Sequence, residues 1–271
     1  MVEISKKYKL KNTVTFGFVN WIGLWTLYKK EVLRFLIVWI QTLLSPIISS
    51  LLFLLVLALA IGNERTDVLG YPFITFLAPG LIAMQVIQQA FSHSSSSFMI
   101  GKIQGNIVDI LYAPLSPGEV TTAVVLASAT RSFMIAFISI IIFYFLVDIE
   151  IRNIYAVIFF TLISSIILGC IGVIAGLWAE KFDHMATVTN FIIIPLSFLS
   201  GTFYSIDRLP NILNTLSQYN PFFHMIDGFR YAFIENLDGS ISVGIIYLST
   251  LSFVIWFISF LLYKKGYKIK S

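Results

Sequence analysis

The sequence predicts an all-α polytopic membrane protein with about six transmembrane helices. Three observations carry this. The 271 residues are 58% hydrophobic and 12% charged, with mean hydropathy +0.88. A soluble domain is ~45–50% apolar and ~25% charged, so this chain has too little polar surface to cover a water-soluble globule. Several apolar runs reach the ~20 residues that a span needs. Basic residues gather at the two ends and are sparse in between.

The chain reads as one transmembrane domain over 1–271. Phe18, Trp21, Ile22, Trp25 and Tyr28 recur at helical spacing, with Asn20, Thr26, Lys29 and Lys30 between or after them. Residues 18–32 are expected to form an amphipathic helix in the cytoplasmic interface, its tryptophans at headgroup depth. The alternative is an extension of the first span, which would place Lys29, Lys30, Glu31 and Arg34 in hydrocarbon at high cost. Spans are expected at 36–61, 71–91, 120–147, 154–179, 186–204 and 243–263. The second is weakened by Pro79, Gly80, Gln85, Gln88 and Gln89.

Lys6, Lys7, Lys9, Lys11, Lys29, Lys30 and Arg34 precede the first span, and Lys264, Lys265, Lys268 and Lys270 follow the last. Lys102 and Lys181 fall in loops on that same side, and Arg65, Arg152, Arg208 and Arg230 on the other. The positive-inside rule then makes both termini cytoplasmic. No cleavable signal peptide follows the basic N-terminal stretch. Residues 92–119 become a cytoplasmic loop, and 205–242 an external segment.

Ile103, Ile107, Ile110 and Leu111 have helical spacing within the cytoplasmic loop, and Pro114 and Pro117 end the pattern. A short helix over 101–113 is expected, either a plain connector or a lever that transmits a push from a soluble partner. Gly101-Lys102 is not a phosphate-binding loop. Ser96 stands where the first Gly belongs and Ile103 where Ser or Thr belongs. Any ATP hydrolysis must come from another chain. His93 beside Ser92 and Ser94 makes no nucleophile–base pair, since helix neighbours diverge by ~100° and no Gly-x-Ser-x-Gly elbow exists. His93, His184 and His224 lack metal-ligand spacing. The single Cys170 has no intrachain partner.

Arg131 is the basic residue inside an expected span. Such a charge defaults to a functional reading. Contact with an anionic headgroup, bonding to helix-end carbonyls and snorkelling to the interface are all compatible with its position. Gly172 and Gly176 stand in small-xxx-small register, which lets helices approach closely, within the protomer or at a dimer seam. Between the last two spans, Gly and Pro punctuate a segment rich in aromatics. Such backbone is tolerated at membrane depth only where helix or protein satisfies it. Asp227 and Arg230 share a helix face there and are placed to pair.

Leu199-Ser-Gly-Thr-Phe-Tyr-Ser, Leu209-Pro210, Asn220-Pro221, Asp227 and Arg230 form a specific pattern. Phe76-Leu-Ala-Pro-Gly80 and Leu111-Tyr-Ala-Pro114 support it. Over nearly its whole length the chain resembles the type-2 permease family of ABC transporters, in the small-exporter branch of nodulation-factor and polysaccharide permeases. The resemblance implies two copies of this chain with two copies of a separate ATPase subunit, which would hold ATP and magnesium; this chain is expected to bind no cofactor or metal and to be no enzyme itself. It implies that Ile103, Asn106, Ile107, Asp109 and Leu111 lie on a coupling helix that docks into the ATPase. It implies that 205–235 forms re-entrant helices closing an exit, marked by Gly201, Leu209, Pro210, Asn220, Pro221, Asp227 and Arg230. The location implied is the bacterial inner membrane, with the lipid bilayer but no nucleic acid as a partner. The family's substrates range from lipid-linked glycans and lipo-oligosaccharides to hydrophobic drugs, and an amphipathic molecule is expected here.

A channel or secondary carrier would favour paired intramembrane acids or inverted repeats. A lipid-modifying membrane enzyme would need clustered Asp, Glu or His at an interface. Neither pattern is visible in the sequence.

Overall fold

Straight-chain and branched apolar residues in long runs leave helix as the simplest way to satisfy the backbone away from water, and helices dominate the computed structural model. It describes residues 17–61, 67–147 and 149–269. Lys6, Lys7, Lys9, Lys11, Arg65 and Lys270 lie outside them. Eleven α-helices follow in order: α1 Trp21–Ile37, α2 Ser45–Ile61, α3 Phe73–Ile103, α4 Ile107–Tyr112, α5 Pro117–Val147, α6 Ile154–Trp178, α7 Phe182–Val188, α8 Ile194–Phe198, α9 Asn211–Tyr219, α10 Pro221–Ile234 and α11 Ile241–Lys264. Two π turns, Ile40–Leu44 and Thr189–Ile193, lead into α2 and join α7 to α8. Among the described residues there is no strand, only an isolated bridge between Val68 and Tyr71.

Among the described residues, five helical stretches are long and apolar enough to cross a membrane: Ile40–Ala60, Phe73–Ile103, Pro117–Val147, Ile154–Trp178 and Ile241–Lys264. The expected span at 186–204 has a different form. It is α7, the π turn and α8, of seven, five and five residues, and it ends at Phe198. Pro195 opens α8, and Gly201 takes φ +70° just beyond it, turning the chain out of the helix.

Two other expected boundaries move. The second span does not stop at Phe91; α3 runs on to Ile103. The Ser92–Ser97 run stays helical because its hydroxyls bond back along the helix, as with Ser95 Oγ to the Ser92 carbonyl (3.3 Å) and Ser96 Oγ to the His93 carbonyl (3.0 Å). The expected helix over 101–113 shrinks to α4, Ile107–Tyr112, after a turn at Gly105 with φ +76°. The expected interfacial helix at 18–32 is α1, which runs past Arg34 to Ile37 and breaks at Val38 before the first span. It leaves Trp21, Ile22 and Trp25 exposed, but turns Leu27, Glu31 and Phe35 into the protein.

The core is α3 packed between α5 and α6. Added Cβ atoms on Gly172 and Gly176 would stand 2.6 Å from the Phe91 carbonyl and 2.8 Å from the Ser95 carbonyl. The small-residue stripe of α6 therefore seats α3 within the protomer. Lys102 caps the end of α6, donating to the carbonyls of Gly176 (3.2 Å), Leu177 (2.8 Å) and Ala179 (2.5 Å). The start of α1, the end of α11 and α4 gather at that end of the bundle, while α9 and α10 cover the other. Asn20 of α1 bonds to Glu119 and to the Pro114 carbonyl, and Tyr263 of α11 meets Phe98 edge-on at 5.8 Å.

Candidate functional site

Three regions hold the candidate side chains: α4 at one end, a polar cleft along the bundle, and the α9–α10 cap at the other end.

α4 hangs between α3 and α5. Ser116 and Glu119 form a capping box at the start of α5: Glu119 N–H donates to Ser116 Oγ (3.3 Å) and Glu119 Oε2 accepts from Ser116 N–H (2.7 Å). The other carboxylate oxygen accepts the Asn20 N–H at 2.7 Å. Asn20 Nδ2 in turn donates to the Pro114 carbonyl (3.0 Å), and its Oδ1 caps α1 through Gly23 N–H (2.9 Å). One buried carboxylate thus ties together α1, the turn after α4 and α5. Of the five residues expected on a coupling helix, Asn106, Asp109 and Leu111 are exposed at or on α4. Ile107 is buried against Phe98 and Leu27, so it anchors the helix and offers nothing to a partner. Ile103 is exposed but closes α3, outside α4. Val108 and Tyr112, the latter 87% exposed, complete the outward face and were not among the sequence candidates. The spacing of apolar residues gave the helix but not which of them turn inward.

The cleft, about 700 Å³, opens between the α1–α2 junction, α3 and α5. Arg131 lies at its edge, 6% exposed. Its Nη2 donates to Gln89 Oε1 and to the Thr42 carbonyl (3.1 Å), a carbonyl in the π turn where the α ladder is disturbed. Arg131 is therefore bonded within the bundle and does not snorkel. Among the described residues no carboxylate pairs with it, and its buried Nε has no hydrogen-bond partner. Arg34 of α1 also lines the cleft. It pairs with Glu31 at 2.9 Å and donates to the His93 carbonyl (3.1 Å) and Ser96 Oγ (3.4 Å). Ser97 Oγ donates to Glu31 at 2.8 Å. Gln85, Gln88, Gln89, Ser92 and Ser96 are scattered in sequence but share one face of α3. Their spacing of three, four, seven and eleven residues from Gln85 was the available signal.

The cap brings the sequence motifs together. Asn220 caps α10 by accepting the Phe222 N–H (3.1 Å), while its amide donates to the Leu196 carbonyl (3.0 Å) and Ser200 Oγ (2.8 Å). Pro221 takes the first helical position, where a missing N–H costs nothing. Leu209-Pro210 ends a 3₁₀ turn, Ile206–Arg208, and starts α9. Arg230 is wholly buried. Its guanidinium lies over the Phe76 ring at 3.8 Å and donates to the Gly201 carbonyl at 2.6 Å. Asp227 is 4.0 Å away. Gly80 is needed where α3 meets this group, since a Cβ there would stand 2.8 Å from the Thr202 carbonyl. The Phe76–Gly80 and Leu199–Arg230 motifs therefore form one contact. Asp227 accepts the N–H groups of Asp238 (3.2 Å) and Gly239 (3.0 Å), fixing the turn into α11. Burial pushes its carboxyl up to about 6, against the pull of Arg230 and these N–H bonds. Asp238, which sequence reasoning missed, accepts from Ser205 Oγ and from Ile206 N–H (3.4 Å).

A family model described as ABC-2 type transporter matches residues 23–234. The inner membrane transport permease YadH of Escherichia coli K12 is 32% identical over 214 residues, covering 79% of this chain and 84% of that protein. Nodulation protein J of Rhizobium leguminosarum biovar trifolii is 25% identical over 222 residues, 79% of this chain and 81% of its own length.

Proposed function

This chain belongs to the ABC-2 type transporter family, and we propose that within it the chain is the permease subunit of an exporter. Two copies work with two copies of a separate ATPase subunit and move an amphipathic or lipid-linked substrate outward across the bacterial inner membrane. ATP and magnesium belong to the ATPase; this chain contributes the path. α4 receives the ATPase, the cleft takes the substrate, and α9–α10 close the outer end. Both termini face the cytoplasm. This follows from the gathering of Lys29, Lys30, Lys264, Lys265 and Lys268 at the α4 end, with Arg152 and Arg208 at the other.

The observation that carries the reading is the Glu119 tie. The turn that follows α4 is tied to α1 and α5 through Asn20 and the Glu119 carboxylate, so a displacement of α4 can pass into both walls of the cleft. A connector without a partner needs no such bracing.

The test is ATP turnover in proteoliposomes by the chain alone and with an ATPase subunit. The expected result is no turnover alone and substrate-stimulated turnover with the partner. Robust turnover by the isolated chain, or failure to associate with any ABC ATPase, would refute the reading.

A further inference from the structure

Polar side chains facing hydrocarbon are expensive, so a stripe of them along a membrane helix must meet water, protein or a ligand. Gln85, Gln88, Gln89, Ser92 and Ser96 form such a stripe on α3. From Gln85 to Ser96 it extends about 16 Å at 1.5 Å per residue. Gln41, Ser45 and Ser49 face it from the π turn and α2. Carboxamides both donate and accept, which suits hydroxyl groups that do the same.

The charges in the cleft are unequal. Arg34 is offset by Glu31. Among the described residues Arg131 has carbonyl-type partners only, and its Nε has none. A buried guanidinium without a counter-anion is costly, and an arriving anion would remove that cost. Arg34, whose side chain is 28% exposed, stands on the same cleft and adds a second positive group.

We infer that the cleft binds a ligand that is both anionic and hydroxyl-rich, a phosphorylated or carboxylated sugar headgroup, with the anion at Arg131 and the hydroxyls along the glutamine stripe. This rests on the proposal that the cleft is the substrate path and narrows it. A neutral hydrophobic compound would leave the guanidinium and the amides unmet.

The experiment is calorimetric titration of the purified chain in neutral nanodiscs with three probes: n-octyl glucoside phosphate, n-octyl glucoside and n-octyl phosphate. The phosphorylated glycoside is expected to bind about tenfold or more tighter than either other probe, the scale of one charge-assisted hydrogen bond. Arg131→Gln should erase the preference over octyl glucoside, and Arg131→Lys should keep part of it. Gln88→Leu should erase the preference over octyl phosphate. Equal binding of octyl glucoside and its phosphate by the unaltered chain overturns the inference, whether or not any variant folds. So does an unchanged preference in folded Arg131→Gln. ATP turnover with the ATPase subunit is measured in parallel. Intact coupling without anion preference removes this inference and leaves the permease reading standing; absent coupling with a clear anion preference does the reverse.

Discussion

Arg230 shows how one residue can fasten two distant motifs. The sequence placed it three residues from Asp227, and the two do lie 4.0 Å apart. Its closer partners are the Phe76 ring and the Gly201 carbonyl, far away in sequence and legible only once the chain is folded. A planar guanidinium can stack and donate together; an ammonium cannot reproduce both. Arg230→Lys should therefore lower stability in detergent by on the order of 2 kcal/mol, the scale of a desolvated cation–π contact. A thermal unfolding midpoint equal to the wild type would show that the stacking is idle. Asp227 gives a pH signature. Its carboxyl titrates near 6 in the folded protein, above its ordinary 3.8, because burial disfavours the charge. The folded state thus holds the proton more tightly than the unfolded chain. Its contribution to stability is greatest in acid and falls as pH rises from about 4 to about 6, by on the order of 2–3 kcal/mol. Asp227→Asn carries no such titration. Thermal midpoints of the two proteins should show the wild type losing ground to the variant over that window, with a constant offset above it. A constant offset throughout would mean that the carboxyl titrates in its usual range.

At the scale of elements, hydropathy located the long helices within a few residues, because apolar runs must be helical in lipid. It failed where a helix continued through polar residues. Ser92–Ser97 read as the end of a span, yet α3 carries it onward with hydroxyls bonded to its own carbonyls. The three glutamines of α3 read as a weakness in a span, when their common face is the wall of a cleft. α4 was legible as a helix but not in its facing. Ile107 packs inward while Asp109, Leu111 and Tyr112 face out. This division makes a prediction. Asp109→Lys with Tyr112→Ala should abolish ATPase docking and substrate-stimulated turnover while leaving the thermal midpoint of the chain alone unchanged. Ile107→Ala should do the opposite first, costing ~2–5 kcal/mol as a core truncation does. Co-purification with the ATPase and unfolding of the isolated chain separate the two effects. Normal docking by the double variant would move the contact away from α4.

Across the whole molecule, the two ends of the bundle are built differently. At one end Lys102 caps α6, Lys268 pairs with Glu180 at 2.8 Å, and α4 is braced by Glu119. At the other, α10 folds over α3 and α6 with α9 packed on it, and Gly228 is pressed so close to Phe160 that a Cβ would stand 2.1 Å from its ring. The broken helix through α7 and α8 matters for orientation. Five long helices alone would put the first and last ends on opposite sides, while the basic residues before α2 and after α11 demand the same side. If α7 and α8 together cross the bilayer, parity and charge agree, and α9–α10 lie outside. Single cysteines decide this. Cys170 is buried, so the native thiol gives little background to a membrane-impermeant maleimide. Thr215→Cys on α9 and Lys265→Cys after α11 are both at exposed positions. In intact cells the first should label from outside, and the second only after the membrane is permeabilised. Labelling of Lys265→Cys alone from outside would mean that α7–α8 do not cross or that the whole arrangement is inverted, and labelling of both would mean that α11 does not cross.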